Sequence, residues 1–511
     1  MSPPSTVAVI GGGLAGLAAG CALADAGFRV ALFERKPYLG GRASSYEHPG
    51  TGEVVDNCQH VLLGCCTALQ EFYARIGATD LVRWYDRLHF LEPGGRASLI
   101  ATTCLPAPLH RTPSFLTAKF LSAADKLAIA RALVALMPGV PPDDGRPFLA
   151  WLERHGQTRR ALDRFWRVVL VSALNEELDR IATPLGAMVL RESFLKSARG
   201  GRMGVPRVPL SELYSRAGDY IVARGGSVTL RAAVDELAPL GAALPALSAG
   251  AFAGPSFASR PGVRLVVDGA PRMFDYAVCA VPCDALARLL PRVAASAPLH
   301  AQLAKFETSP ITGVHLWFDR EITALDHAVL LDRTIQWMFQ KSRILDRRAA
   351  APAGAAVAPL LGQGSAASVP AIVAGDVASA ATGSYLELVI SASRSLVEKS
   401  RQEVLDLAVT ELAEFFPEVR RARLVKATVV KEVHATFAPL PGSDAYRPQP
   451  ATCWPQLFLA GDWIATGWPA TMESAVRGGY LAAEALVAAA GKPQKFLPPE
   501  LPAAGLMKWF G

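Results

Sequence analysis

The sequence predicts an α/β protein: a parallel-sheet domain, discontinuous along the chain, with an inserted α+β domain. Three observations predict it. The first 34 residues read strand, glycine turn, helix, strand, acid. A second strand, turn and helix fill residues 456–486. Between these ends lie long stretches whose helical or alternating apolar spacing belongs to neither.

Residues 7–10 are a short apolar strand, followed by Gly11-x-Gly13-x-x-Gly16 and an Ala-rich helix; residues 28–33 form the next strand, which ends at Glu34. Gly11 permits a tight turn, Gly13 lets the backbone approach a pyrophosphate, and Gly16 lets helix and strand pack closely. The helix N-terminus offers unpaired N–H groups and positive dipole charge to phosphates. Glu34 stands 18 residues after Gly16, where an acid can accept hydrogen bonds from a ribose. Together the parts mark a Rossmann-like dinucleotide site. Its candidate cofactor-binding residues are Gly11, Gly13, Leu14, Ala15, Gly16 and Glu34.

The next stretch is Arg35-Lys-Pro-Tyr-Leu-Gly40-Gly41-Arg42-Ala-Ser44. At the other end, Leu457-Phe-Leu-Ala-Gly461-Asp462 precedes Thr471-Met472-Glu473-Ser474 and an apolar helix. These segments resemble the flavin amine oxidase and phytoene desaturase superfamily. The resemblance implies the flavin amine oxidase fold: a Rossmann-like FAD-binding domain with an inserted α+β substrate domain. It also implies FAD as cofactor. Arg35, Gly40, Gly41 and Arg42 would wrap the pyrophosphate. Gly461 and Asp462 would hold pyrophosphate and ribityl oxygens. The helix after Thr471 and Met472 would aim its N-terminus at the flavin edge where reduction builds negative charge. Val234 aligns with the residue whose backbone meets the adenine.

At 511 residues, 51% of them apolar, the chain exceeds one ordinary domain. Its net charge of +7 is diffuse, with no run of five basic residues, so no nucleic-acid partner is expected. The eight cysteines form neither a disulfide framework nor a zinc pattern. A reduced, cytoplasmic setting and no metal site are expected. Residues 6–24 carry no charge, but no basic stretch precedes them and their glycines stand at fingerprint positions, so a nucleotide fold and not a signal peptide or membrane span is expected there.

The FAD-binding domain is expected from residues 1–85, 215–300 and 425–490, and the substrate domain from 86–214 and 301–424. Residues 86–214 read as mainly helical. The Tyr220-Ile-Val run reads as a strand before the Gly225-Gly226 turn. Ala- and Gly-rich stretches at 238–262 and 347–383 read as loops. The tail 491–511 reads as a frayed end or an interfacial anchor.

Further segments narrow the resemblance: Val55-Asp56-Asn57-Cys58-Gln59-His60, Phe165-Trp166 with Ala173-Leu174-Asn175, Ser309-Pro310 with His315-Leu-Trp317-Phe318, and Ala435-Thr436-Phe437. Together they are similar to the squalene-associated FAD-dependent desaturases, the hydroxysqualene dehydroxylases of hopanoid synthesis. The resemblance implies reduction of hydroxysqualene to squalene: the allylic hydroxyl leaves, and reduced flavin N5 delivers hydride to the delocalised cation. That needs a carbon held roughly 3–3.5 Å from the hydride donor and a dry, apolar tunnel. Gln59 and His60 fall beside the flavin by alignment. His60 is a candidate general acid, because an unperturbed imidazole titrates near neutrality, or else a hydrogen-bonding group only. Trp166, Trp317, Phe437 and Trp468 are candidate tunnel linings or ordinary core. The alternatives are a carotenoid-type desaturase, an amine oxidase, and a non-catalytic FAD-binding scaffold of a terpenoid-synthesis complex. The expected partners are an apolar isoprenoid and an unknown flavin reductant, with peripheral contact at the inner face of the cytoplasmic membrane.

Overall fold

The computed structural model of the protein describes residues 4–240, 262–345 and 383–510. Five parallel strands form one sheet, in the order Ser227–Leu230, Arg29–Glu34, Thr6–Ile10, Tyr276–Cys279, Leu457–Leu459. The alternation of a buried strand is visible residue by residue. Val7 and Val9 pack with the helices on one face, while Ala8 and Ile10 pack with a three-stranded meander on the other. The helical layer holds Leu14–Asp25, Leu210–Ala223 and Met472–Ala489. The first and last of these cross at a glycine: a Cβ on Gly479 would meet the Ala15 carbonyl oxygen at 2.3 Å. A residue near the C-terminus thus sets how closely the first helix can be approached.

A second sheet has seven strands, ordered Leu424–Phe437, Thr308–Phe318, Ser384–Ser391, Trp337–Gln340, His327–Leu330, Arg87–Leu91, Ala97–Ala101. Its pairs are antiparallel except His327–Leu330 with Arg87–Leu91. Helices Ala123–Ala135, Phe148–Arg154, Arg167–Leu174 and Thr183–Leu190 contribute to a core with Phe90, Ile100 and Val329 of this sheet.

Two expectations are corrected. Residues 86–101 are a hairpin, not helix; Gly94 and Gly95, with φ +88° and +84°, make its turn. Residues 220–223 are the last turn of the Leu210–Ala223 helix, not a strand. Leu210, Leu213, Tyr214, Ala217 and Ile221 bury one helical face, and that long-period pattern outweighs a short β-branched run. Of the stretches expected as loops, 241–261 and 346–382 lie outside the described residues. The flanks 238–240 and Gly262 belong to antiparallel strands.

Candidate active site

A cavity of about 520 Å³ crosses the C-terminal ends of the parallel strands, where open α/β sheets bind their ligands. Gly11, Gly13, Leu14, Ala15, Glu34, Arg35, Gly40, Gly41 and Arg42 line it from the N-terminal end of the chain. Val234 lines it from the middle, and Gly461, Asp462, Thr471 and Met472 from the C-terminal end.

The glycines do different work. Gly11 has φ +108°, and a Cβ there would meet the Ala280 carbonyl oxygen at 2.7 Å. A Cβ on Gly16 would sit 2.0 Å from the Gly11 carbonyl oxygen. Both are needed by the fold itself. Around Gly13, by contrast, the nearest atom to an added Cβ is Gly41 Cα at 3.7 Å. That space is free for a ligand, so the cradle fits a pyrophosphate. The helix that starts there has no side-chain cap to occupy its N–H groups. The second glycine pair locks onto the first: Gly40 N donates to the Gly12 carbonyl at 2.8 Å, and Gly13 and Gly40 form a β-bridge.

The Glu34 carboxylate accepts from Gly12 N at 2.6 Å and Lys36 N at 2.8 Å. Its position at the end of a strand, facing the cavity, suits a ribose. Arg42 joins the two ends of the chain: its guanidinium pairs with Asp462 and donates to the Ala435 carbonyl at 3.2 Å. Thr471 caps the last helix by accepting from Ser474 N at 3.1 Å. Glu473 is committed elsewhere, since its carboxylate accepts from Ala68 N and Leu69 N at 3.1 and 2.8 Å.

A second cavity, of about 330 Å³, adjoins the first, and Gln59, Val61, Ser172, Ala173, Thr471 and Met472 line both. Its wall is apolar, with Phe90, Phe115, Phe165, Val169, Phe339 and Trp468 among the lining residues. Besides the already committed Glu473, two charged groups stand in that wall. Glu192 is raised by burial while Lys196 holds it at 2.9 Å. Arg111 is pushed down to about 10 by burial, donates to the Gly201 carbonyl at 2.5 Å, and has no carboxylate partner among the described residues.

Of the four aromatic residues expected in a tunnel, Trp468 lines this second cavity. The other three do not line either cavity. Trp166 is fully buried among Phe148 and Phe165, its Nε1 donating to Gln157 at 2.7 Å. Trp317 stacks on Tyr385 with ring centroids 4.4 Å apart. Phe437 packs edge-on to Phe306 and lies under the Arg447 guanidinium. A π-helical turn at Leu162–Trp166 accounts for the first case: it turns Phe165, not Trp166, toward the cavity.

Gln59 and His60 both line the flavin-sized cavity. Burial drops the His60 imidazole to about 4, and its Nε2 lies 3.3 Å from Asn57 Oδ1. A lowered imidazole is a poorer proton store at neutral pH, which favours the hydrogen-bonding alternative for His60 over the general-acid one. Gln59 carries a different connection. Its Oε1 accepts from Lys341 Nζ at 2.8 Å. The same ammonium donates to Asp56 Oδ2 at 2.7 Å and pairs with Glu387 Oε2 at 3.4 Å. All four side chains are buried. Burial pushes Glu387 up to about 7, with Lys341 opposing. Burial would raise Asp56 too, but Lys341, Ser45 and Leu210 N hold it below its usual range. Next to Glu387 in the sheet, His315 is dropped to about 3 by burial; its Nδ1 meets the Tyr385 hydroxyl at 2.9 Å.

Sequence reasoning missed Lys341 and Glu387, which stand in no motif. It quoted Asn175 without a role. Asn175 ends its helix at φ 54°, and its amide donates to the Ser309 carbonyl at 3.0 Å and Thr436 Oγ1 at 2.9 Å, while its Oδ1 accepts from Ala392 N at 2.7 Å. Three segments that were distinctive in sequence thus meet at one amide on the cavity wall.

Comparison with known proteins agrees with this architecture. The profile of the family described as flavin containing amine oxidoreductase matches residues 14–487. The 15-cis-phytoene desaturase of Synechococcus elongatus is 26% identical over 500 residues, covering 94% of this chain and 96% of that protein. A probable zeta-carotene desaturase of the same organism is 25% identical over 515 residues, covering 94% and 98%. Among solved structures, an oxidoreductase from Methanosarcina mazei has a TM-score of 0.65 at 16% identity, covering 93% of this chain and 98% of that one. A redesigned putrescine oxidase also has a TM-score of 0.65, at 15% identity, covering 95% and 99%. The chain belongs to the flavin containing amine oxidoreductase family, and FAD is the cofactor its cleft fits.

Proposed function

We propose that the protein is an FAD-dependent oxidoreductase of a long, acyclic isoprenoid. One observation carries this reading: an apolar cavity opens onto the nucleotide cleft at the loop bearing Gln59 and at the start of the last helix. An amine would call for acidic groups to meet it. Here the carboxylates nearest the junction are paired with Lys341, Lys196 or backbone N–H groups. FAD, when bound, supplies a two-electron hydride carrier. The chain's residues hold an apolar chain against it, exclude water through the aromatic and aliphatic wall, and fix Gln59 at the junction by its bond from Lys341.

Two chemistries use this arrangement in opposite directions. The names of the relatives favour dehydrogenation of a phytoene-like chain. The distinctive segments that converge on Asn175 support reductive loss of the allylic hydroxyl from hydroxysqualene. That second chemistry needs a proton for the departing water, and the Glu192–Lys196 pair, 2.9 Å apart with Glu192 in the apolar wall, is the titratable pair placed to relay one. A single pair of assays separates them. The oxidised holoprotein is mixed with phytoene, and the photoreduced holoprotein with hydroxysqualene, both anaerobically. Bleaching with a desaturated product supports the first; reoxidation with squalene supports the second. Turnover of amines with neither of these would overturn the proposal.

A further inference from the structure

We propose that Arg111 makes the apolar cavity a site for a long-chain amphiphile, an apolar chain that ends in a carboxylate or phosphate. Three charged residues stand in the wall of this cavity of about 330 Å³: Arg111, Glu192 and Glu473. The protein satisfies both carboxylates. Lys196 Nζ donates to each oxygen of Glu192 at 2.9 Å. Glu473 accepts from two backbone N–H groups and pairs with Arg477 at 3.3 Å.

Arg111 is the exception. It is 7% exposed, and its one hydrogen bond among the described residues runs from Nη2 to the Gly201 carbonyl at 2.5 Å. Its Nε is buried with no partner. Asp86 acts on it from a distance and is itself held by Arg202 at 2.8 Å. The wall is shaped around this guanidinium. The Phe194 ring centroid lies 5.4 Å from it. Gly201 leaves it room, since a Cβ there would stand 2.8 Å from Nη2.

Burial lowers Arg111 only to about 10, so it keeps its charge at neutral pH. A lone cation in an apolar wall is costly, and an arriving anion offsets that cost. A hydrocarbon leaves the cation unpaired. A hydroxyl gives it an uncharged acceptor. An oxyanion gives it both charge and lone pairs for the free Nε–H. The aliphatic and aromatic remainder of the wall suits the chain behind such a head. This ligand would compete with an isoprenoid for the same space. The anchor stands on the cavity's own charges and depends on neither flavin reaction.

The test is calorimetric titration of the holoprotein with dodecanoate, dodecyl phosphate, dodecanol and dodecylammonium, each below its micelle concentration. At least one of the two anions should bind once per chain and at least about tenfold tighter than dodecanol, with dodecylammonium weakest. The tighter anion identifies the head group. R111M should weaken that anion at least about tenfold and leave dodecanol unchanged. Yellow colour and an unshifted melt identify a folded variant. Should R111M fail there, R111K takes its place, with a loss of at least about threefold for a point charge without the planar fork. R160M removes an exposed arginine of the same helical region and should bind like the parent. Dodecanol binding as tightly as both anions overturns the proposal. So does unchanged anion affinity in the folded Arg111 variant, or an equal loss in R160M.

Discussion

Replacing Lys341 with methionine removes the one cation among Asp56, Glu387 and Gln59 while keeping most of the side-chain volume. At 2.7 Å and an effective dielectric constant near 20, the attraction to Asp56 amounts to about 6 kcal/mol. The cost of burying the ammonium offsets several of these. Without the lysine, two buried carboxylates repel across the gap, and the cheapest escape is protonation. Glu387, already at about 7, takes a proton readily near neutrality. Asp56 does not: neutralising an ordinary aspartate at pH 7 costs about 4 kcal/mol, which caps the loss. Lys341→Met should therefore destabilise the holoprotein by about 3–4 kcal/mol at pH 7. The cap shrinks by about 1.4 kcal/mol for each pH unit of acidification, so the loss should be a few kcal/mol smaller near pH 5 than near pH 8. Urea unfolding of both proteins at several pH values measures this, with the double variant Lys341→Met/Asp56→Asn alongside. A loss that does not vary with pH, or a double variant no more stable than the single one, would refute the reasoning.

Other substitutions divide fold from ligand. Gly13→Ala should fold normally, since φ there is −77° and the added methyl has room. It should nevertheless raise the FAD dissociation constant at least about tenfold, as read by flavin fluorescence. Gly16→Ala should instead lose folded yield, because the methyl strikes the Gly11 carbonyl. Trp166→Ala should cost about 3–5 kcal/mol in unfolding experiments with product distribution unchanged, whereas Phe165→Ala should change which chain lengths are turned over. Burial holds His60, His110 and His327 near 4 and His315 near 3, all below their unfolded value of 6.5. The unfolded chain binds more protons below that value, so the stability these rings confer is present above pH 6.5 and lost as pH falls toward 4. Glu387, raised to about 7 from 4.5, runs the other way and loses stability as pH rises between those values. The four histidines, joined by carboxylates held below their usual range such as Asp56, Asp326 and Glu484, outweigh Glu387 and the other raised carboxylates, Glu177, Glu192, Glu212 and Glu473, so melting temperature should fall on acidification below about pH 6.5. A flat profile down to pH 4.5 would contradict it.

The cofactor cleft was legible because its grammar is local. Gly11, Gly13, Gly16 and Glu34 lie within one strand–helix–strand unit, where close backbone approach fixes Gly11 and Gly16 and the space for a ligand fixes Gly13. The meeting of the two chain ends was legible as well, since each end carries half of a recognisable phosphate site. The lysine cluster was not. Lys341 and Asp56 stand 285 residues apart, and nothing in the flanks of either announces the other. Register decided the aromatic residues. Reading residues 86–214 as mainly helical cannot foresee a π turn at Leu162–Trp166, and one residue of slip exchanges Phe165 for Trp166 at the cavity. The Leu210–Ala223 helix shows the converse: its last turn looks like a strand until the whole amphipathic face is counted.

The Leu457–Leu459 strand and the helix behind it also govern the order in which the molecule can be completed. A nascent chain whose ribosome has not passed residue 459 presents Tyr276–Cys279 as a bare sheet edge and leaves Arg42 without its aspartate. Cofactor capture must then be a late event, after most of the polypeptide has been made. Until that moment, the open edge is available to pair with a neighbouring chain.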